Sequence, residues 1–234
     1  MKKNDNQSIE NKNINFFSEN TSYKKNINSI DTYKILYDEI SNNLENINKL
    51  LDIGHGGSFD YDTKKVREIV GLDLDYMIDS KFLPKNIKLQ VGSALNLPDN
   101  LKNFDAVISV MLIHHLIGKN VESNLNNLYR CINESKKALS ENGKLIIVES
   151  CVPKWFYFFE KIFFKSTSYL INRYLKHPPA FQYTKEIILE CLKKNEFKKI
   201  EVNKIKQGKF ILQYGFKFPT FLTPVETYIF IAKK

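Results

Sequence analysis

Long apolar runs are missing from this chain of 234 residues. No stretch approaches the roughly 20 consecutive apolar residues that a bilayer span requires. The opening stretch, MKKNDNQSIENKN, is polar throughout and lacks the apolar core of a signal peptide. The expected location is therefore the cytoplasm. Cysteine is scarce: only Cys131, Cys151 and Cys191 occur, and an odd count fits no disulfide framework. None pairs at metal-ligand spacing, so no metal is expected, and the three read as small buried hydrophobes in a reducing compartment. Two nucleotide signatures are absent as well. Starting at Gly54, the pattern G-x-G-x-x-G meets Phe59 where its third glycine belongs, and no G-x-x-x-x-G-K-[ST] phosphate loop exists.

What is present suits one sizeable globular domain. Hydrophobic residues make up 43% and aromatics 13%, enough to build a core at this length. Lys and Arg number 35 against 26 Asp and Glu, a net charge of +9. The lysines are scattered along a chain that is rich in Asn, Lys and Ile throughout. A solvated surface is the favoured reading, and a polyanionic partner such as nucleic acid the less favoured one. Residues 1–28 are Asn/Lys/Ser-rich and are expected to be mobile, with Phe16, Phe17 and Tyr23 available as a lid. The folded domain is expected over 29–234.

Strands and helices then alternate. Residues 31–47 carry Ile35, Leu36, Ile40, Leu44 and Ile47 at helical spacing, with Asp31 as the expected N-cap. Strands are expected at 49–53, within 66–74, at 87–92, 104–110, 144–150, 198–205 and 226–234. A helix is expected over 121–140, stopped by Gly143, and another after an N-cap at Thr184, ending at a left-handed Asn195. Only about ten residues separate Gly57 from the second strand. The expectation there is one short helical turn beginning near Ser58, or an irregular loop. Residues 151–183 form an aromatic-rich insertion, and 208–224 an aromatic loop. Continuous apolar runs such as AVISVMLI fit strands covered on both faces. The order indicates an α/β fold, a doubly wound, mostly parallel sheet.

In such a sheet, ligands bind beyond the carboxyl ends of the strands. Those ends read Asp52-Ile53-Gly54-His55-Gly56-Gly57, Gly71-Leu72-Asp73, Gly92-Ser93-Ala94 with Leu97-Pro98 following, and Phe104-Asp105-Ala106-Val107 running on to Ser109-Val110. In order and spacing this set resembles the class I S-adenosylmethionine-dependent methyltransferases, in particular the small-molecule, type 11-like group. The resemblance covers roughly residues 47–150, with a weaker echo from 184 onward. It implies a Rossmann-like sheet of seven strands whose last strand is antiparallel and lies between the fifth and sixth. It implies S-adenosylmethionine as cofactor, and a cofactor-binding set of Asp52, Gly54, His55, Gly56, Asp73, Leu74, Gly92, Ser93, Ala94, Ser109 and Val110. Asp73 would accept bonds from the ribose hydroxyls, with Leu74 against adenine. Ser93 stands where the family usually has an acid. The short first connection would weaken a pyrophosphate site, which needs a helix N-terminus, but this cofactor carries no phosphate.

Methyl transfer to a hydroxyl benefits from a general base. The candidates are His114 and His115, just beyond the fourth strand, and Glu149 at the end of the fifth; His177, ahead of Pro178-Pro179, is a weaker one. The N-P-P-Y-like motif of enzymes that methylate nucleobase amino groups is replaced by Ser109-Val110-Met111-Leu112, and Cys151 lacks the local motif of a pyrimidine-carbon enzyme. The expected activity is methyl transfer to a small-molecule hydroxyl, on a sugar, a sugar-nucleotide or a lipid-like metabolite. An RNA methyltransferase and a non-catalytic cofactor-binding regulator are the alternatives. Residues 151–183 can cap the acceptor pocket, or rest on an anionic membrane surface through Lys154, Lys161 and Lys165. Oligomeric state is not legible.

Overall fold

The computed structural model describes residues 30–234 except 77, 80, 82, 171–172, 174–178 and 214–215, together with residue 14. The segment expected to be mobile, with Phe16, Phe17 and Tyr23, lies outside the described residues, as does His177.

The apolar runs become the strands of one central sheet. In chain order the elements are α1 (Asp31–Asn43), β1 (Lys49–Ile53), β2 (Glu68–Asp73), β3 (Ile87–Val91), β4 (Phe104–Val110), α2 (Val121–Ala138), β5 (Leu139–Cys151), α3 (Lys154–Leu170), α4 (Lys185–Lys194), β6 (Lys199–Lys204), β7 (Phe210–Gln213), β8 (Phe216–Pro219) and β9 (Glu226–Lys233). The seven-stranded sheet has the order β3-β2-β1-β4-β5-β9-β6. Pairings among β1 to β5 are parallel, and β9 is antiparallel to both β5 and β6. This is the expected sheet, with its last strand inserted antiparallel between the fifth and sixth.

Each face of the sheet carries its own core. On one face, Leu36 and Ile40 of α1 and Leu44 at its C-cap recur every fourth residue and pack with Leu50, Ile69, Ile108, Ile146 and Val148. All three are essentially inaccessible, and each such burial contributes about 1.5–3 kcal/mol. On the other face, Leu128 and Ile132 of α2 and Ile188 and Leu192 of α4 cover Leu51, Val107, Leu145 and Phe230.

Several local details differ from the sequence reading. Helix α1 begins with Ile30 at its cap position, without a side-chain cap; Asp31 instead lies in the first turn, where a carboxylate meets the positive end of the helix. Helix α2 ends at Ala138 and β5 starts at once, so Gly143 lies inside the strand, where a Cβ would approach the Phe104 carbonyl oxygen to 2.8 Å. Glycine is needed there for packing and not as a helix stop. After α4 the left-handed residue is Glu196, φ 57°, with Asn195 at φ −84°. The 208–224 loop contains a two-stranded sheet, β7 with β8. Between β1 and β2 the helix is reduced to a 3₁₀ turn at Thr63–Lys65, later than Ser58, capped by Asp62, which accepts from the Lys64 amide. Fully buried Tyr61 and partly buried Phe59 take the missing helix's place against the α1-side core.

Candidate active site

The loop after β1 turns on three left-handed glycines, Gly54 (φ 76°), Gly56 (φ 57°) and Gly57 (φ 86°). A Cβ on Gly54 would collide with the Leu112 side chain at 2.6 Å. A Cβ on Gly56 would meet nothing within 4 Å. Gly56 therefore borders open space at the strand ends, a cradle that a side chain would fill. His55 points away from it: its ring is 7% exposed, stacks on Phe59 at 5.1 Å, and its Nδ1 accepts from the Gly57 amide at 3.0 Å. It braces the turn from inside.

Asp73 ends β2 beside this turn. Its Oδ2 accepts from the Gly56 amide at 2.8 Å and its Oδ1 from the Leu74 amide at 2.7 Å. Each oxygen keeps lone-pair capacity, and the residue is only half-buried. The carboxylate thus locks the glycine turn and still offers acceptors to a diol. Asp52 is different. It is 3% exposed, accepts from the Tyr61 hydroxyl at 2.8 Å, and burial, with Asp60 and Asp73 adding to it against the Tyr61 bond, pushes its carboxyl up to about 8.

At the end of β3, Gly92 packs against Leu72, and a Cβ there would approach Leu72 Cδ1 to 2.9 Å. The Ser93 hydroxyl accepts from the Leu95 amide at 3.3 Å and Ala94 is buried. On β4, Val110 is partly buried and the Ser109 hydroxyl is buried without a hydrogen-bond partner. A separate surface hollow of about 980 Å³ runs along the β3 edge past Tyr76, Leu83, Lys85 and Lys88; none of these strand-end residues lines it.

Beyond β4 the chain passes left-handed Met111 (φ 51°) into a 3₁₀ turn at Ile113–His115. Fully buried Glu149 on β5 organises this turn. Its Oε2 accepts from the Ile113 amide at 2.9 Å and the His114 amide at 3.4 Å; its Oε1 accepts from the Ser150 amide at 2.8 Å and meets His114 Nδ1 at 2.7 Å. With Nδ1–H donating to the carboxylate, the His114 lone pair lies on Nε2. Burial pulls the His114 pKa down, but the charge and hydrogen bond of Glu149, joined by Glu160, outweigh it, and the net direction is upward from 6.5. His115 stacks obliquely on His114 at 4.1 Å and is 7% exposed.

Glu160 was not anticipated. It extends inward from α3, its Oε2 accepts from the Gln182 amide at 3.2 Å, and burial pushes it up to about 7 against the pull of that bond and of His114. The available signal was its standing as the lone acid within the aromatic run 155–164. Around it Phe181 packs edge-on to Tyr157 and Phe164, and the Phe181 amide donates to the His114 carbonyl at 2.9 Å. The insertion is thus tied directly to the turn that carries His114. Cys151 lies nearby but is 2% exposed, and burial, reinforced by Glu149, raises its thiol pKa. It is a poor nucleophile.

Residues 51–147 match the family model for a methyltransferase domain. Among solved structures, similar folds include a possible histamine N-methyltransferase from Thermotoga maritima, at 15% identity and TM-score 0.60, covering 94% of this chain and 99% of that one. A S-adenosylmethionine-dependent methyltransferase from Methanosarcina mazei aligns at 16% identity and TM-score 0.53, over 85% of this chain and 97% of its own. A chain from the Haloferax volcanii complex between the Trm112 methyltransferase activator and its candidate methyltransferase aligns at 12% identity and TM-score 0.62, over 93% and 96%. At these identities the likeness is one of fold. No curated protein matches the sequence. The match over residues 51–147 and the seven-stranded sheet identify a methyltransferase domain of the class I type, and S-adenosylmethionine is the cofactor that such a domain uses. The open space at Gly56, the remaining acceptor capacity of half-buried Asp73 and the unpartnered Ser109 hydroxyl fit such a ligand.

Proposed function

We propose that the enzyme methylates a hydroxyl on a small, lipid-like acceptor, with His114 as general base. The observation that carries this reading is the 2.7 Å contact between His114 Nδ1 and buried Glu149. S-adenosylmethionine, when bound, supplies a methyl carbon activated by the sulfonium. Gly54, Gly56, Asp73, Leu74, Ser93 and Ala94 hold it in this reading, with Asp52, His55, Gly92, Ser109 and Val110 shaping the loops behind them. His114 Nε2 takes the proton of the acceptor hydroxyl as the oxygen becomes nucleophilic. Glu149 fixes the ring and stabilises the imidazolium that results. His115 packs the ring in place. Tyr157, backed by buried Phe164 and Phe181, gives the acceptor an apolar wall, which favours a lipid-like body over a sugar. The domain over residues 29–234 works in this reading with its 151–183 segment as the acceptor cap.

The test supplies methyl-labelled S-adenosylmethionine and a fractionated cell extract to the full chain. Label in an organic-extractable product, stable to alkali as a methyl ether is, is expected, and His114→Gln lowers the rate by about 10²–10⁴-fold. Undiminished transfer by folded His114→Gln, or label only on nitrogen, contradicts the proposal.

A further inference from the structure

Helix α3 (Lys154–Leu170) buries one face and leaves the other largely exposed. Tyr157, Glu160 and Phe164 look inward. Trp155, Phe158, Phe159, Ile162 and Phe163 are each between 50% and 60% exposed. Their spacing puts them on one stripe of the helix, and Phe159 bridges Trp155 and Phe163 by ring contacts at 6.5 and 6.4 Å. No described part of the molecule covers this stripe.

The surface continues onto the β7–β8 hairpin. Ile211 of that hairpin shares a small core with Val152 and Val225, on which Phe156 of α3 packs. Just past β8, Phe221 is 83% and Leu222 66% exposed. Two aromatic elements therefore stand side by side with their apolar groups outward. Isolated exposed apolar residues need no explanation, but a contiguous patch marks an interaction surface.

Charge identifies the partner. Residues 151–183 hold five Lys or Arg and one acid, and that acid, Glu160, is turned inward. Residues 206–224 hold three lysines and no acid. Lys154 and Lys161 on the helix, and Lys209 and Lys217 on the hairpin, are exposed around the aromatics. A second copy docking on this stripe would set the same lysines against one another in a chain already carrying +9. An anionic bilayer surface neutralises them and receives Trp and Phe at the headgroup boundary.

We propose that the outer face of α3 and the β7–β8 hairpin seat this enzyme peripherally on anionic lipid, with the acceptor cap against the bilayer. The seating is independent of the base assigned to the reaction. Trp155 is the chain's single tryptophan, so its fluorescence reports on this face alone. The full chain is mixed with phosphatidylcholine vesicles containing about 30% phosphatidylglycerol, and with pure phosphatidylcholine vesicles. On the anionic vesicles the protein is expected to co-float and Trp155 emission to shift to the blue; on the neutral ones binding is about tenfold weaker or less. Phe159→Ser/Phe163→Ser is expected to keep its melting transition and S-adenosylmethionine binding while losing about tenfold or more in partitioning. Absence of flotation by the folded full chain, or equal flotation of the double variant, overturns the proposal. So does concentration-dependent burial of Trp155 with dimer sedimentation in the absence of vesicles, which would assign the face to a second copy.

Discussion

At the scale of single residues, the site sets two carboxylates to different work. Asp73 is half-buried and locks the glycine turn, whereas Asp52 is enclosed and its carboxyl titrates near 8. A folded-state pKa above the unfolded value of 3.8 means that the native protein binds the extra proton. Stability is therefore lost as pH rises from about 4 toward 8. Asp52→Asn keeps an acceptor for Tyr61 and removes that loss. Without cofactor, its stability advantage over the parent is expected to grow between pH 5 and pH 8 by on the order of 1 kcal/mol or more, measured by urea melts; a constant difference contradicts the burial argument. Gly56 gives a second prediction. Its left-handed φ makes Gly56→Ala cost about 1–2 kcal/mol in stability, while the new methyl enters the open cradle. S-adenosylmethionine affinity measured by calorimetry is expected to fall about tenfold or more; unchanged affinity would remove Gly56 from the cofactor site. For the base, activity requires neutral His114, so kcat/KM rises as pH passes its raised pKa. Glu149→Gln removes the charge that raises it. The acidic limb of the pH profile is expected to move to lower pH and the rate to fall, whereas a purely structural Glu149 would lower the rate with the limb unmoved.

At the scale of elements, the strands were legible because β1, β4 and β5 are covered on both faces and read as apolar runs. The reduced link between β1 and β2 was legible from its length. How it is compensated was not, because Tyr61 and Phe59 look like loop aromatics until they are placed on the α1-side core. The hairpin β7–β8 escaped notice because each of its strands is only four residues long, too short for a periodic pattern to stand out. Glu160 escaped because one acid in an aromatic run has no periodicity to mark it. The resemblance put His55 in the cofactor-binding set, yet the turn folds its ring inward against Phe59. The N-cap of α4, by contrast, was written locally: Thr184 is 3% exposed and accepts from the Ile187 amide. Thr184→Ala is expected to cost about 1 kcal/mol, visible as a lowered thermal midpoint.

For the whole molecule, the excess of basic residues is spread over the surface, and many lysines are matched by acids, as in Lys137–Glu134, Lys194–Glu190 and Lys204–Glu226. Beside α3 and the hairpin, exposed Lys154, Lys161, Lys209 and Lys217 add a local basic patch. Binding of the full chain to RNA is therefore expected to be weak at physiological salt in a filter assay. Tight binding with a steep loss between about 50 and 200 mM salt would favour an RNA acceptor instead. The fold brings the loops after β1 to β3, the His114 turn after β4 and helix α3 to one end of the sheet, and in the proposed function a short glycine loop, a buried glutamate and an aromatic helix make one site there.

The most direct check on this account is nitrogen-resolved NMR of the His114 ring as a function of pH. The predicted result is the Nδ1–H tautomer with a pKa above 6.5, lowered in Glu149→Gln. An Nε2–H tautomer, or a pKa at or below 6.5 that ignores Glu149, would contradict the assignment of His114 as the base.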